Sequence, residues 1–340
     1  MSDQEAPARV DVMRGDLVES SHGVSVCVVD GDGGTVLMRG DTETPVFPRS
    51  AIKAIQALPL LESGAADALG LTDQELALAC SSHSAEAAHV ATARSILAKA
   101  GCDEAVLECG GHWARRIPVI QEQMADWEGT PGPVCNNCSG KHSGFICTAV
   151  HTGVDPAGYI QPDHAIQKAV RGVMEDVTGA LHHEDASGTD GCSIPTYAIS
   201  LRAMAHGFAR MATGVGLTAG RYQAAKRLMN ACMSNPFYVA GTERFCTQIM
   251  ELNQTHNSAR SIFAKTGAEG VFCGAIPELG IGIALKCHDG ATRASEAMMA
   301  AVVAHVIPDD DPLHPALSQL GSPVLKNWNG ITVGRLAPRL

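Results

Sequence analysis

A serine and a lysine stand three residues apart in Arg49-Ser50-Ala51-Ile52-Lys53. On a helix that spacing puts both side chains on one face. The surrounding Ala51, Ile52, Ala54, Ile55, Ala57, Leu58, Leu60 and Leu61 are apolar on nearly every side, the pattern of a buried helix. Lys53 is the only charge between Arg49 and Glu62. An ammonium taken out of water is costly, and a lysine so placed tends to give up its proton and become a usable base. One turn from a hydroxyl, it can take the serine's proton and make it a nucleophile. The plainer alternative makes Ser50 a helix cap and lets the Lys53 stem carry its amine out to water.

Four further stretches carry reactive groups. Cys80-Ser81-Ser82-His83-Ser84 joins two expected helices, Leu71–Ala79 and Ala85–Ala100, with Thr72 or Asp73 capping the first and Ser84 the second. Ser82 and His83 are either polar loop residues or side chains held over a site. Cys135-Asn136-Asn137-Cys138-Ser139-Gly140-Lys141-His142 is the densest cluster and precedes a helix, Ser143–His151, at whose start thiolates and anions are stabilised. A lone Cys-x-x-Cys fits a redox pair, half of a metal site, or two unconnected thiols. No second Cys-x-x-Cys occurs, which argues against a four-cysteine zinc site, and no βαβ pattern supports a thioredoxin-like role. In Gly188-Thr189-Asp190-Gly191-Cys192, the Asp190 carboxylate serves a local turn or anchors a substrate ammonium. Lys265-Thr266-Gly267 follows in third place the order known from penicillin-recognising enzymes, Ser-x-x-Lys, a serine element, Lys-Thr-Gly.

The elements that must position these groups are legible at both ends of the chain. Val24–Val29 and Thr35–Met38 flank Asp30-Gly31-Asp32-Gly33-Gly34, a hairpin signal. Gly270–Ala275 and Ile281–Cys287 read as strands, Ala294–His305 as a helix, and Asn329–Leu336 as a closing strand. Between them Leu201–Thr213, Gly220–Met233 and Phe245–Leu252 read as helices. The chain is therefore expected to be α/β (α+β): a mixed, mainly antiparallel sheet built from both termini, residues 1–62 and 255–340, and a helix-rich second lobe, 63–254, with the active site between them. Cys109-Gly110-Gly111-His112 reads as a tight bend. At −11 the net charge speaks against a nucleic-acid binder. No apolar run reaches the ~20 residues of a membrane span, and Met1-Ser2-Asp3-Gln4-Glu5 lacks the basic and apolar regions of a secretory signal. Twelve cysteines without such a signal are read as mostly free thiols.

Taken together, the serine, cysteine, Cys-Gly-Gly-His, Gly-Thr-Asp-Gly-Cys and Lys-Thr-Gly motifs resemble the rhizobial-type (class 3, thermolabile) L-asparaginases over nearly the whole chain. The resemblance implies a β-lactamase/glutaminase-like fold, a cytoplasmic homodimer, and hydrolysis of L-asparagine to L-aspartate and ammonia. It maps two Ser–Lys pairs onto Ser50 with Lys53 and Ser82 with Lys265, and pocket residues onto Arg49, His142 and Asp190. It also implies one zinc ion per subunit, assisting substrate binding without being strictly required, held by Cys138, Lys141 and Cys192. Lysine is an unusual zinc ligand, since it binds as the neutral amine, and His142 is the alternative. Arg49 is expected on the substrate α-carboxylate and Asp190 on its α-ammonium. The competing readings are a penicillin-interactive serine hydrolase, a zinc or thiol redox module at Cys135 and Cys138, and glutaminase activity on the same scaffold, which one extra methylene cannot strongly exclude.

Overall fold

The computed structural model describes residues 6–126 and 129–340. Ten strands run through these residues in chain order: β1 (Ala8–Arg14), β2 (Leu17–Asp30), β3 (Thr35–Arg39), β4 (Ser187–Thr189), β5 (Pro195–Tyr197), β6 (Phe263–Thr266), β7 (Val271–Ile276), β8 (Ile281–Cys287), β9 (Val324–Lys326) and β10 (Thr332–Arg339). The chain divides into two compact units. The first holds Met1–Ala51, Ile199–Val215 and Gln248–Leu340; the second holds Ile52–Ala198 and Gly216–Thr247.

The first unit is built on one antiparallel sheet in the order β6-β7-β8-β2-β1-β10-β9, with β3 beside β2. The mixed α/β class with a sheet drawn from both ends of the chain is as the sequence led us to expect. β2 is long enough to pair β1 and then β3 along one edge while β8 runs along the other, Val24 opposite Cys287 and Asp30 opposite Ile281. All of β7, and every residue of β8 except Lys286, is buried. Because alternate residues of a strand face opposite sides, both sheet faces must be covered there. The helices Leu201–Thr213 and Thr292–Val306 both pack on β8 and β2.

That packing moves a boundary. The sequence reading assigned Leu201–Thr213 to the helical lobe, yet it belongs with the sheet. Its buried side, Leu201, Met204, Ala205, Phe208 and Met211, lies against strands, and Gly282 admits it: a Cβ at Gly282 would stand 2.0 Å from the Ala205 carbonyl oxygen.

The second unit is helical apart from the β4–β5 ribbon, which carries Asp190 and Cys192 at its turn and which the sequence reading took for loop. The expected helix over 49–61 is broken into a one-turn 3-10 segment Arg49–Ile52 and two short helices, Lys53–Gln56 and Leu58–Glu62. Pro59 supplies the break: it has no N–H to continue the ladder from the preceding turn and sits instead in the first turn of Leu58–Glu62, where no N–H is needed. The run from Ala51 to Leu60 is buried throughout, as its composition requires.

The helix Asp73–Ala79 delivers Ser81 and Ser82, and its start is firmly held. Thr72 caps it, with Glu75 closing the reciprocal box: Glu75 Oε2 accepts from Thr72 N at 2.7 Å. Glu75 also takes the Lys99 amine at 2.6 Å and the Ser95 hydroxyl at 2.8 Å. Burial pushes the Glu75 carboxyl up, but Lys99, Thr72 and Ser95 outweigh it, and its pKa is lowered from the ordinary 4.5. A depressed carboxyl stabilises the fold above its unfolded value and ceases to do so as pH falls through the folded one. The stability difference between wild type and Glu75→Gln is therefore expected to be full at neutral pH and to shrink on acidification below about 4.5, read from urea unfolding midpoints. A gap independent of pH would show that the charge on Glu75 is not what holds this helix.

The following helix starts later than expected, at Ala87, with Glu86 as its cap. The Ser84 hydroxyl, expected to cap it, instead donates to the Ala240 carbonyl oxygen. The helix Ser139–His151 is buried from Ser139 to Ala149. Gly140 lets its first turn meet Leu78: a Cβ there would lie 2.3 Å from the Leu78 carbonyl oxygen.

Candidate active site

In the second unit the sequence-flagged residues converge. Lys53 is 1% exposed. Its amine lies 2.5 Å from the Ser81 carbonyl oxygen, 3.1 Å from Ser82 Oγ and 3.1 Å from Cys138 Sγ. Three acceptors are the full complement for the three N–H donors of an ammonium. The spacing argument paired Lys53 with Ser50; the hydroxyl that meets the amine here is that of Ser82. Ser82 is held in turn through its backbone N–H, which donates to Val239 O at 2.9 Å.

Cys138, Cys192 and Lys141 form a second group within the same unit, each 3% exposed or less. Lys141 Nζ lies 3.1 Å from Cys192 Sγ, and the two thiols are hydrogen-bonded to each other. The Cys192 hydrogen bond holds Cys138 well below the usual thiol range against the opposing effect of burial, with the Lys53 and Lys141 charges adding to it. The same bond, with burial, pushes Cys192 up. Burial opposes the charge on Lys141, but the two sulfurs and Asp190 outweigh it and raise its pKa. Two sulfurs and one amine gathered without solvent are a donor set that suits a tetrahedral zinc ion with a fourth position for water. Asp190 is held at its turn by accepting Cys192 N–H at 3.2 Å.

His142 is fully buried, and burial first, then the Lys141 and Lys53 charges, push its pKa well below the ordinary histidine value. Its Nδ1 lies 2.6 Å from the Tyr159 hydroxyl, which accepts Glu108 N–H at 3.0 Å. The two side chains share this hydrogen bond. His142 Nε2 is buried with no hydrogen-bond partner.

Ser50, Arg49 and Lys265 belong to the first unit. Arg49 is held at φ +50, a strained region for a residue with a side chain, and the half-buried Ser50 follows it. Lys265 is 1% exposed and donates to Thr266 O at 2.8 Å. Gly267 brings the end of β6 against the serine turn: a Cβ there would stand 2.8 Å from Pro48 O and 3.2 Å from Ala51 N. The glycine of Lys-Thr-Gly is required for that approach.

The family model for L-asparaginase II matches residues 10–338, nearly the whole chain. The chain belongs to the L-asparaginase II family. As a member of that family it is an enzyme, an amidohydrolase of the asparaginase type. No curated protein sequence matches it. Among solved structures it is similar to one described as Mglu in its native form, at 13% identity over 79% of this chain and 60% of that one, TM-score 0.43. The chain thus spans under two thirds of that neighbour's length. It is also similar to a β-lactamase from Mycobacterium bovis, at 11% identity over 87% of this chain and 92% of that one, TM-score 0.39. A class C β-lactamase from Rhodobacter sphaeroides follows at 14% identity over 85% and 91%, TM-score 0.35. All three likenesses are distant. No helix among the described residues of this family member is long and apolar enough to cross a membrane.

One contributor to the site escaped the sequence reading. Tyr159, whose hydroxyl is hydrogen-bonded to His142 Nδ1, stands in a turn with no motif around it. His83 was noticed without a role: its Nδ1 accepts Ala85 N–H at 3.1 Å, so Nε2 donates to Ser139 Oγ at 2.8 Å, tying the Ser82 segment to the helix that follows Cys138. Gly111 of the Cys-Gly-Gly-His bend makes the close approach that glycines permit, since a Cβ there would lie 1.8 Å from Pro131 O. Cys135, the other thiol of Cys-x-x-Cys, lines a cavity of about 520 Å³ with Ala85, Val90, Arg94, Val119 and Gln123. None of the twelve cysteines is in a disulfide.

Proposed function

We propose that the chain hydrolyses the side-chain amide of L-asparagine to L-aspartate and ammonia through an acyl intermediate on Ser50, with Lys53 and Ser82 carrying the proton. The contact of the Lys53 amine with Ser82 Oγ at 3.1 Å supports this reading most directly. Lys53, three residues on from Ser50, takes the serine's proton as the hydroxyl attacks the amide carbon. As an ammonium it then has three N–H groups, matched by Ser81 O, Cys138 Sγ and Ser82 Oγ. Donating to Ser82 lets that hydroxyl give its own proton to the departing nitrogen. Lys265 serves as the second amine of the pair of Ser–Lys sets. Arg49 binds the substrate α-carboxylate, Asp190 its α-ammonium, and the unpartnered His142 Nε2 is a hydrogen-bonding partner for a polar atom of the substrate. Cys138, Lys141 and Cys192 hold a zinc ion, which when bound polarises and orients a water or a substrate oxygen. A cytoplasmic homodimer belongs to the same proposal, and light scattering on the purified chain tests its oligomeric part.

The test is ammonia release from asparagine and from glutamine, a chromogenic cephalosporin as third substrate, and mass spectrometry for an acyl adduct. Wild type is expected to release ammonia from asparagine fastest and to leave the cephalosporin intact. Ser50→Ala is expected to form no adduct. Ser82→Ala is expected to lose about 10²–10⁴ in rate, the range for a lost proton-transfer group, with the adduct on Ser50 forming correspondingly more slowly. An adduct on Ser82 would reverse the two serines' roles, and cephalosporin turnover without ammonia release would establish the penicillin-interactive reading.

A further inference from the structure

A second cluster of metal-ligating groups lies in the first unit, in residues that the proposed reaction does not use. His22 on β2, Cys287 at the end of β8 and Asp289 in the turn beyond it bring Nδ1, Sγ and a carboxylate oxygen all within 4.8 Å of one another. Strand register creates the meeting, since Val24 pairs with Cys287 and His288 N donates to Gly23 O at 2.9 Å, folding the turn back over the start of β2. We propose that His22, Cys287 and Asp289 form a binding site for a divalent zinc-class cation, separate from the Cys138, Lys141 and Cys192 set.

The hydrogen bonds at the cluster show where the ion belongs. His22 Nδ1 lies 2.6 Å from Asp289 Oδ2, and Cys287 Sγ donates to Asp289 Oδ1 at 3.0 Å. Arg293 Nε donates to His22 Nε2 at 3.3 Å, so the imidazole carries its proton on Nδ1. Two protons thus occupy the space between three donor atoms, the place one cation would take. Around tetrahedral zinc such donors stand about 3.4–3.7 Å apart, as follows from metal–ligand lengths of ~2.0–2.3 Å. The Asp289 oxygen that lies 2.6 Å from His22 therefore has to retreat by less than about 1 Å. Its side chain is 52% exposed and anchored by a bond from Ala291 N–H to Oδ1 at 3.0 Å, whereas His22 and Cys287 are buried. Arg293 is exposed and can swing away as the imidazole proton moves to Nε2. One sulfur, one imidazole nitrogen and one carboxylate oxygen, with the solvent side open for water, make a set for zinc and disfavour the all-oxygen ions magnesium and calcium. An ion there would pin the start of β2 to the end of β8.

The zinc-free full chain is titrated with Co²⁺, following the thiolate-to-cobalt and ligand-field bands, and with Zn²⁺, counting bound ions by native mass spectrometry. Wild type, Cys287→Ala, Asp289→Ala and Cys192→Ala are compared. Cys287→Ala and Asp289→Ala are each expected to bind one ion fewer than wild type, or to weaken that ion at least about tenfold. Cys192→Ala is expected to keep the ion that they lose. Asp289 stands on an exposed turn, so its variant leaves the answer clear if Cys287→Ala does not fold. Equal stoichiometry and equal spectra for wild type and Asp289→Ala would overturn the proposal. Because the readout is the difference between variants, failure of the zinc ion proposed at Cys138 leaves this result standing.

Discussion

Lys53→Met is expected to lower ammonia release from asparagine by about 10³-fold or more, the loss that follows when a positioned proton carrier is removed. Methionine keeps most of the stem's volume, so the oily surroundings of Lys53 remain filled. What disappears is the amine that meets Ser81 O, Ser82 Oγ and Cys138 Sγ. Each buried acceptor left unpaired costs about 1–3 kcal/mol. Part of that cost is offset because a polar amine no longer has to be buried. Stability is thus expected to fall by far less than the activity does, and urea unfolding beside the turnover assay separates the two. Lys53→Arg is expected to be inactive as well, since a planar fork cannot replace a point donor among three converging acceptors. Turnover of Lys53→Met near the wild-type rate would remove Lys53 from the chemistry.

The apolar run around Lys53 was enough to place it in the interior, and the amine is buried. Its other contacts were harder to read. Spacing along the chain connects Ser50 and Lys53 and carries no information about what else meets the amine. Ser82 reaches Lys53 across 29 positions, a separation that no local pattern encodes. A near-continuous apolar run between turns and a helix with a clear cap were legible: β8 and the helix Leu201–Thr213 fall at the expected residues. The short ribbon of β4 and β5 was not, because three-residue strands are too short to show a periodicity. The placement of Leu201–Thr213 was missed for a related reason. A helix with one apolar side shows that it is covered without showing by what. Gly282 held the answer, but a glycine in a strand announces a close approach without naming the partner.

Cys192→Ala is expected to empty the proposed zinc site and to lower kcat/KM for asparagine more than kcat. Cys138 and Lys141 alone leave one sulfur and one amine, too few donors to hold zinc against solvent. In the full set Cys192 contacts both others: it is hydrogen-bonded to Cys138 and lies 3.1 Å from Lys141 Nζ. Its removal therefore takes away a ligand and loosens the two that remain. Asp190 shares the same turn and accepts Cys192 N–H, a backbone bond that the substitution preserves. The proposed ammonium anchor thus stays in place, and the loss reports on the sulfur. Because Ser50, Lys53 and Ser82 are untouched, the acyl adduct should still form at saturating asparagine. Metal content by elemental analysis, read beside KM and kcat, decides between roles. A variant without metal but with unchanged KM would leave zinc a structural part only. A variant that keeps its full metal content would exclude Cys192 as a ligand and return His142, with its unpartnered Nε2, to consideration in its place.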